Sequence, residues 1–170
     1  MPPVTNETAF DPREFRDLFG RFATGVTVVT INDGGDGHAM TANAVSSLSL
    51  DPMLLLVCVE RSNSAHPFFE RAESFAVNIL AADQRELSDR FARHGDEQRT
   101  MDGVAHHIGV AGSPIIEGTL GYAECRVVDR HPGGDHTIVV GEVVDLAAGP
   151  AEAAPLVFFR GQYRELAGPA

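Results

Sequence analysis

The chain has 170 residues and a formal net charge of −11 at pH 7, with 24 acidic side chains against 13 basic ones. A chain of this length is typical of one domain, so we expect a single domain over residues 1–170 with a core from about 11 to 166. The acidic balance argues against a nucleic-acid or anionic-membrane surface, because neutralising phosphates requires dense arginine or lysine.

Membrane and targeting signals are not found in the sequence. No stretch approaches the ~20 apolar residues of a membrane helix, and the N-terminus lacks the basic start and apolar centre of a signal peptide. Cys58 lies in an apolar run and Cys125 in an alternating one, which favours two reduced, buried thiols over a disulfide or a metal site. We therefore expect a cytoplasmic protein.

The first element in the chain is a short amphipathic helix. Asp11, Pro12 and Glu14 have the pattern of a capped helix start. Apolar side chains then recur at helical spacing as far as Phe22, so we expect the helix to end near residues 24–25.

Strands and hydroxyl-rich segments follow. The run 26–31 is dense in β-branched residues and stops at a glycine-rich turn, which predicts a strand. Residues 41–52 form a polar loop or irregular strand that precedes the apolar run 53–59, a strand expected to be internal. Residues 61–69 are a second hydroxyl-rich segment and continue into a helix start. These two polar segments are predicted to form two sides of one pocket.

The rest of the chain is mainly β. A strand over 74–80 precedes a second capped helix, which starts at Asp83 and includes His94, and residues 95–114 read as a long surface connection. The pattern of residues 121–146 predicts a long hairpin, and that of residues 155–166 predicts a last strand. Six or more predicted strands, only two or three helices and no regular βαβ alternation indicate a mainly β protein. We expect its strands to form an antiparallel barrel.

The two polar segments have the donors that a flavin phosphate and ring edge require. Ser62, Asn63 and Ser64 precede a predicted helix start, where free N–H groups and the helix dipole favour an anion. The alternative is that these residues only cap the helix. Asn43 is suited to a ring carbonyl but could be a simple turn residue, and the hydroxyls after Thr41 could be the solvent face of an edge strand.

Several ordered motifs resemble the short-chain flavin reductase family, the FMN-binding split-barrel proteins that act as reductase components of two-component flavin monooxygenases. They extend from about Phe15 to Leu166 and include FATGVTVVT, TANAVSSLSLDPMLLLVCVERSNSAHPFF, FAVNIL, LSDRFA, GDHTIVVGEV and PLVFFRGQYREL.

The resemblance implies an antiparallel split β-barrel, a homodimer and a set of flavin-contacting residues. The implied flavin-binding residues are Thr41, Ala42, Asn43, Ser46, Ser47, Cys58, Val59, Glu60, Arg61, Ser62, Asn63, Ser64, His66 and Phe91.

The nicotinamide side is assigned from the same resemblance. A lone histidine at a hairpin start is ordinarily structural, but His136 matches the family's GDH motif, which implies a catalytic role in positioning the nicotinamide. Tyr163 and Arg21 are further candidates for this face.

Two other chemistries are not supported by the sequence. His106 and His107 are adjacent, and His131 and His136 lie five residues apart, but no metal-site signature organises them. We therefore expect no metal. No GxSxG nucleophile elbow is present, which argues against a serine hydrolase.

The resemblance predicts an NAD(P)H:flavin oxidoreductase that transfers hydride from NADH to FAD or FMN and supplies reduced flavin to a partner monooxygenase. The scarcity of lysine favours NADH over NADPH, because a 2′-phosphate needs an added cation. The alternatives are a flavoprotein that reduces another acceptor, such as a corrin, a ferric complex or a quinone, and a non-catalytic flavin-binding protein.

Overall fold

The computed structural model describes residues 10–32, 34, 37–93 and 100–166. Its α-helices are α1 (Pro12–Phe19), α2 (His66–Arg71) and α3 (Arg85–Ala92). Its strands are β1 (Thr24–Gly25), β2 (Thr27–Ile31), β3 (His38–Ala42), β4 (Val45–Leu50), β5 (Met53–Glu60), β6 (Ser74–Ile79), β7 (His106–Ile108), β8 (Pro114–Ile116), β9 (Gly121–Gly133), β10 (His136–Ala148), β11 (Val157–Phe159) and β12 (Gln162–Arg164). Among these helices, none has the length and apolar character needed to cross a membrane.

One antiparallel sheet forms the body of the molecule, in the order β3-β2-β6-β9-β10-β5-β4. Its edge strands β3 and β4 are separated in sequence only by Asn43 and Ala44. Because so short a connection spans roughly 10 Å, the two edges meet there and the sheet curls into a barrel. The Cys58 N–H donates to the Ala44 carbonyl at 3.0 Å, which fastens this connection, the seam, to β5. The predicted antiparallel split barrel is confirmed.

The interior contains two apolar clusters, each closed by a helix. The first includes Val57 of β5, Phe75 of β6 and Val139 of β10, and Phe69 of α2 packs against them. The second lies beneath α3, where Phe91 packs with Leu156. Burial of these aromatic side chains fixes both helices against the barrel.

A long surface connection was predicted for residues 95–114, but residues 106–116 form a short β7–β8 hairpin that is fixed to the sheet. The fully buried Glu124 of β9 accepts the main-chain N–H groups of Ala111 at 2.9 Å and Ser113 at 2.8 Å. Gly109 lies so close to this carboxyl group that an added Cβ would overlap it. The predicted continuation of α3 to His94 lies outside the described residues.

Two predicted elements differ from those in the structure. Helix α1 stops at Phe19, before Gly20, a poor helix former, and residues 24–25 are a strand that pairs with β11. The last predicted strand is two strands, β11 and β12, joined by a turn at Arg160 and Gly161. The α1 start is as predicted, since the Asp11 side chain accepts the Arg13 N–H at 2.8 Å.

Candidate active site

The first polar segment includes the seam and the start of edge strand β4. Asn43, Ser46 and Ser47 are exposed, whereas the Ala42 side chain is buried and leaves only its main chain for a ligand. The edge-strand alternative is therefore correct as local structure. The Asn43 side-chain amide makes no hydrogen bond to any described residue, so it is available to a ligand.

The second polar segment, residues 61–69, contains the turn between β5 and α2 and the start of α2. Glu60, the last residue of β5, is exposed, as are Arg61 and Ser62 of the turn. Helix α2 begins at His66 without a side-chain cap, so the helix-capping alternative for the serines is not what is observed. The Asn63 side chain instead accepts the Ala65 N–H at 2.9 Å.

This turn has unused hydrogen-bonding groups. Within the described ranges, the main-chain N–H groups of Ser62 and Ser64 donate to no acceptor. The Ser64 hydroxyl oxygen is shielded from solvent and also has no partner there. An anion at this turn would satisfy these donors.

Three of the predicted flavin residues have side chains committed to the protein interior. Val59 is fully buried, and His66 is 8% exposed with its Nε2 2.9 Å from the Thr137 hydroxyl. Cys58 is half-buried, and burial raises the pKa of its thiol. Their direct contribution to a surface ligand is therefore limited mainly to the main chain.

Strand pairing brings His136 beside the second polar segment. His136 is the first residue of β10 and lies opposite Glu60 of β5, and the Arg61 N–H donates to the Asp135 carbonyl at 2.9 Å. The His136 Nδ1 is 2.7 Å from Asp135 Oδ1, while its side chain is 38% exposed. The hydrogen bond with His136, assisted by the charge of that residue, lowers the pKa of Asp135. Asp135 thus orients the ring and leaves Nε2 for a substrate.

Tyr163 lies beside the seam. Its hydroxyl donates to Asp89 Oδ1 at 2.9 Å and is 2.8 Å from the Ser88 hydroxyl, while the Thr41 hydroxyl donates to the Ser88 carbonyl at 2.7 Å. Burial is the main cause that raises the pKa of Tyr163. A pocket of about 210 Å³ opens here. Its lining residues are Val26, Thr41, Ala42, Asn43, Ser88, Ala92, Phe158 and Tyr163.

The remaining predicted residues lie apart from this pocket. Phe91 is 1% exposed, so its ring is not accessible from the surface, and α3 presents Ser88 and Ala92 to the pocket instead. Arg21 is exposed and lines a different groove, at the end of α1.

Sequence reasoning missed three supporting residues, Asp135, Ser88 and Asp89. All three lie inside motifs already noted, GDH and LSDRFA, and their polar side chains next to a proposed site residue were the available signal.

The sequence model of the family described as "Flavin reductase like domain" matches residues 19–167. The chain belongs to this family. Among relatives in the flavin reductase family, the FMN reductase (NADH) SmoA of Agrobacterium fabrum is 44% identical over 165 residues, which cover 94% of this chain and 92% of SmoA. The reductase component of a 4-nitrophenol 4-monooxygenase/4-nitrocatechol 2-monooxygenase of Rhodococcus opacus is 39% identical, covering 90% of this chain and 80% of that protein.

Solved structures of flavin reductases have the same fold. The NADH:FAD oxidoreductase SgcE6 of Streptomyces globisporus, in complex with NAD and FAD fragments, superposes with a TM-score of 0.86 at 37% identity, covering 96% of this chain and 99% of that one.

Proposed function

We propose that this protein is an NADH-dependent flavin reductase that passes reduced flavin to a partner monooxygenase. The observation that carries the proposal is the β5–β10 register, which aligns His136 with Glu60 and so joins the nicotinamide candidate to the flavin candidate segment. Relatives named as NADH-dependent FMN or FAD reductases support the same activity.

The polar groups around the turn and the seam fit a flavin. The unused N–H groups of Ser62 and Ser64, with the exposed Arg61 beside them, suit a phosphate. The exposed Asn43 amide suits the polar edge of the ring, because it offers both a donor and an acceptor.

A bound flavin would supply the redox chemistry, with the dihydronicotinamide as hydride donor. The protein residues then have only to hold two planar rings in reacting geometry. His136, oriented by Asp135, is assigned to position the nicotinamide carboxamide through Nε2. Asn43 and the Ser62 turn are assigned to position the flavin, and no general base is required.

Steady-state NADH oxidation tests the proposal. Purified protein is assayed under air without flavin and then with FMN, FAD or riboflavin, and with NADPH in place of NADH. We expect saturable turnover that depends on added flavin. Turnover independent of added flavin in a yellow protein would favour a bound prosthetic group and another acceptor. Absence of turnover with every flavin and both nucleotides would contradict the proposal.

The proposal includes a homodimer formed through α1. No residue of α1 is buried. The ring centroids of Phe15 and Phe19 lie 4.6 Å apart, and both side chains are exposed. Edge strand β4 also exposes Leu48 and Leu50. A second copy of the chain would cover these apolar surfaces.

Light scattering after size-exclusion chromatography tests the dimer. We expect the wild-type mass to be that of two chains and Phe15→Ser/Phe19→Ser to shift it toward one. Glu14→Ser on the same helix is the control and should leave the mass unchanged. A monomeric wild-type protein at micromolar concentration would contradict the dimer.

A further inference from the structure

A groove of about 530 Å³ opens at the end of α1, outside the candidate active site described above. Its lining residues are Arg16, Asp17, Gly20, Arg21, Arg160 and Gly161. The arginines come from two distant segments, which meet because the Arg160 N–H donates to the Gly20 carbonyl at 2.7 Å. The volume lies within the usual range for a small-molecule site.

The three guanidinium groups are not neutralised by the described part of the chain. None of them has a carboxylate oxygen within 4 Å there, and a single aspartate, Asp17, lines the groove with them. The chain as a whole has a net charge of −11, so carboxylates for pairing are abundant. The Arg160 guanidinium lies 5.2 Å from the centroid of the Phe159 ring, a contact that leaves its charge in place. Clustered arginines without a paired carboxylate raise the local positive potential and attract an anion.

Capping of the helix does not account for these arginines. The carboxyl end of a helix carries partial negative charge, which cations can compensate. Here the carbonyls of Arg16, Leu18 and Gly20 already accept main-chain N–H groups. No arginine side chain of the groove is needed to satisfy these three acceptors.

Arg160 occupies a position that ordinarily selects another residue. It has φ of +51° and precedes Gly161 at +73°, between the paired residues Phe159 and Gln162. A two-residue turn with positive φ at both positions favours asparagine and glycine, and the left-handed region costs other residues about 1 kcal/mol. The turn therefore does not require arginine.

One residue of the groove, Arg16, interacts electrostatically with the hairpin that carries His136. After the hydrogen bond and charge of His136, Arg16 is among the groups that lower the pKa of Asp135, so its guanidinium acts on the β9–β10 turn. On the other side, β12 follows Gly161 directly and carries Tyr163, which lines the pocket at the seam.

We propose that this arginine groove binds the phosphate groups of a nucleotide substrate. The inference rests on the proposed function, in which a dinucleotide must place its ring beside His136. Guanidinium groups match phosphate oxygens through paired hydrogen bonds. NADH and FAD both contain a pyrophosphate that could bind here, and the kinetic experiment below distinguishes between these two nucleotides. Arg21, predicted from the sequence for the nicotinamide side, is thereby assigned to a phosphate.

Nucleotide kinetics of Arg16→Gln, Arg21→Gln and Arg160→Gly test the groove. Arg160→Gly is chosen because glycine adopts positive φ without strain. In each variant we expect the KM for the nucleotide that binds in the groove to rise about fivefold, with a smaller change in kcat. The effect is moderate because charge-assisted hydrogen bonds at an exposed site are partly screened. A rise for NADH with FMN as acceptor identifies NADH, and a rise for FAD but not FMN identifies FAD. No rise for either nucleotide would overturn the proposal.

Two controls separate phosphate binding from a general effect of charge or folding. Arg13→Gln removes the same charge from the same helix but lies outside the groove, and we expect its KM values to match wild type. With N-benzyl-1,4-dihydronicotinamide, a hydride donor without phosphate, the groove variants should lose less activity than with NADH. An equal loss with both donors would refute a role for NADH phosphate.

Calorimetric titration with inorganic pyrophosphate measures binding to the groove directly and does not depend on enzyme turnover. We expect saturable binding to wild type and about tenfold weaker binding to Arg16→Gln/Arg21→Gln, with circular dichroism confirming the fold. Binding without any flavin reduction would defeat the proposed function alone. Flavin reduction with pyrophosphate affinity and nucleotide KM unchanged in the variant would defeat the groove alone.

Discussion

The polar groups inside the barrel and those on its rim differ in whether the protein itself satisfies them. Inside, Glu124 accepts two main-chain N–H groups, and the Asn78 side chain both donates to Val28 and accepts from Ile116. On the rim, the N–H groups at Ser62 and the Asn43 amide have no partner among the described residues. Satisfied interior groups stabilise the fold, whereas unsatisfied rim groups are suited to a ligand.

One buried hydroxyl is unsatisfied although it lies outside the candidate site. Thr24 Oγ1 is shielded and has no partner among the described residues, and nothing in the surrounding structure explains it. The other shielded hydroxyl, Ser64, lies within the candidate site.

The largest effect is expected from breaking the interior at Glu124. Glu124→Ala should lower the free energy of unfolding by about 3 kcal/mol, because it leaves two main-chain donors unsatisfied and creates a cavity. Urea unfolding followed by circular dichroism measures it. Glu142→Ala, at an exposed position of β10, is the control, with an expected change within about 0.5 kcal/mol. Equal losses in both variants would contradict the distinction between interior and rim.

Alkaline pH is expected to destabilise the interior through Cys125. Burial, and secondarily the charge of Glu124, raises the pKa of this thiol from 9.0 to about 12. The unfolded chain therefore releases the proton first, and stability falls as pH rises from 9.0 toward 12, by at most about 1.4 kcal/mol per pH unit.

Denaturant unfolding from pH 8 to pH 11 measures this slope. Cys125→Ala should flatten it, whereas Cys58→Ala, at a half-buried position nearer the rim, should change it less. If the two variants had the same slope, the assignment to Cys125 would be wrong.

On the rim, His136→Ala should impair turnover and leave the fold intact. We expect kcat/KM for NADH to fall at least about tenfold, equivalent to ~1.4 kcal/mol of transition-state stabilisation. Flavin affinity should be nearly unchanged, because the proposed flavin contacts lie on other residues. Loss of flavin binding with normal turnover per bound flavin would reverse this assignment.

The smallest effect is expected at the β5–α2 turn. Ser62→Ala should weaken flavin binding about fivefold, measured by fluorescence titration, because the exposed hydroxyl is a candidate phosphate donor. Ser64→Ala should also weaken it, but less, because its hydroxyl is shielded from solvent. Unchanged affinity in both variants would show that neither hydroxyl contacts the phosphate and would leave only the main-chain N–H groups of this turn as its donors.

Local patterns predicted elements well where the chemistry is local. The Asp11 cap and the strand beginning at Ser74 were both predicted, because capping and β-branched runs act within a few residues. The turn at Arg160 was missed because arginine is uncommon at positive φ. The amphipathic character of α1 was predicted from its periodicity, but periodicity reports an apolar face and not what covers it, and no residue of α1 is buried.

The sequence alone determined the fold class, the flavin reductase family and the segments that carry the candidate chemistry, since these follow from ordered motifs and hydrophobic pattern. Only the tertiary structure decided which side chains are available. It buried Phe91 and joined His66 to Thr137, and it brought Arg160 beside Arg16 and Arg21. The physical reason is that burial and hydrogen-bond partners depend on contacts between residues far apart in the chain, which strand register and barrel closure create.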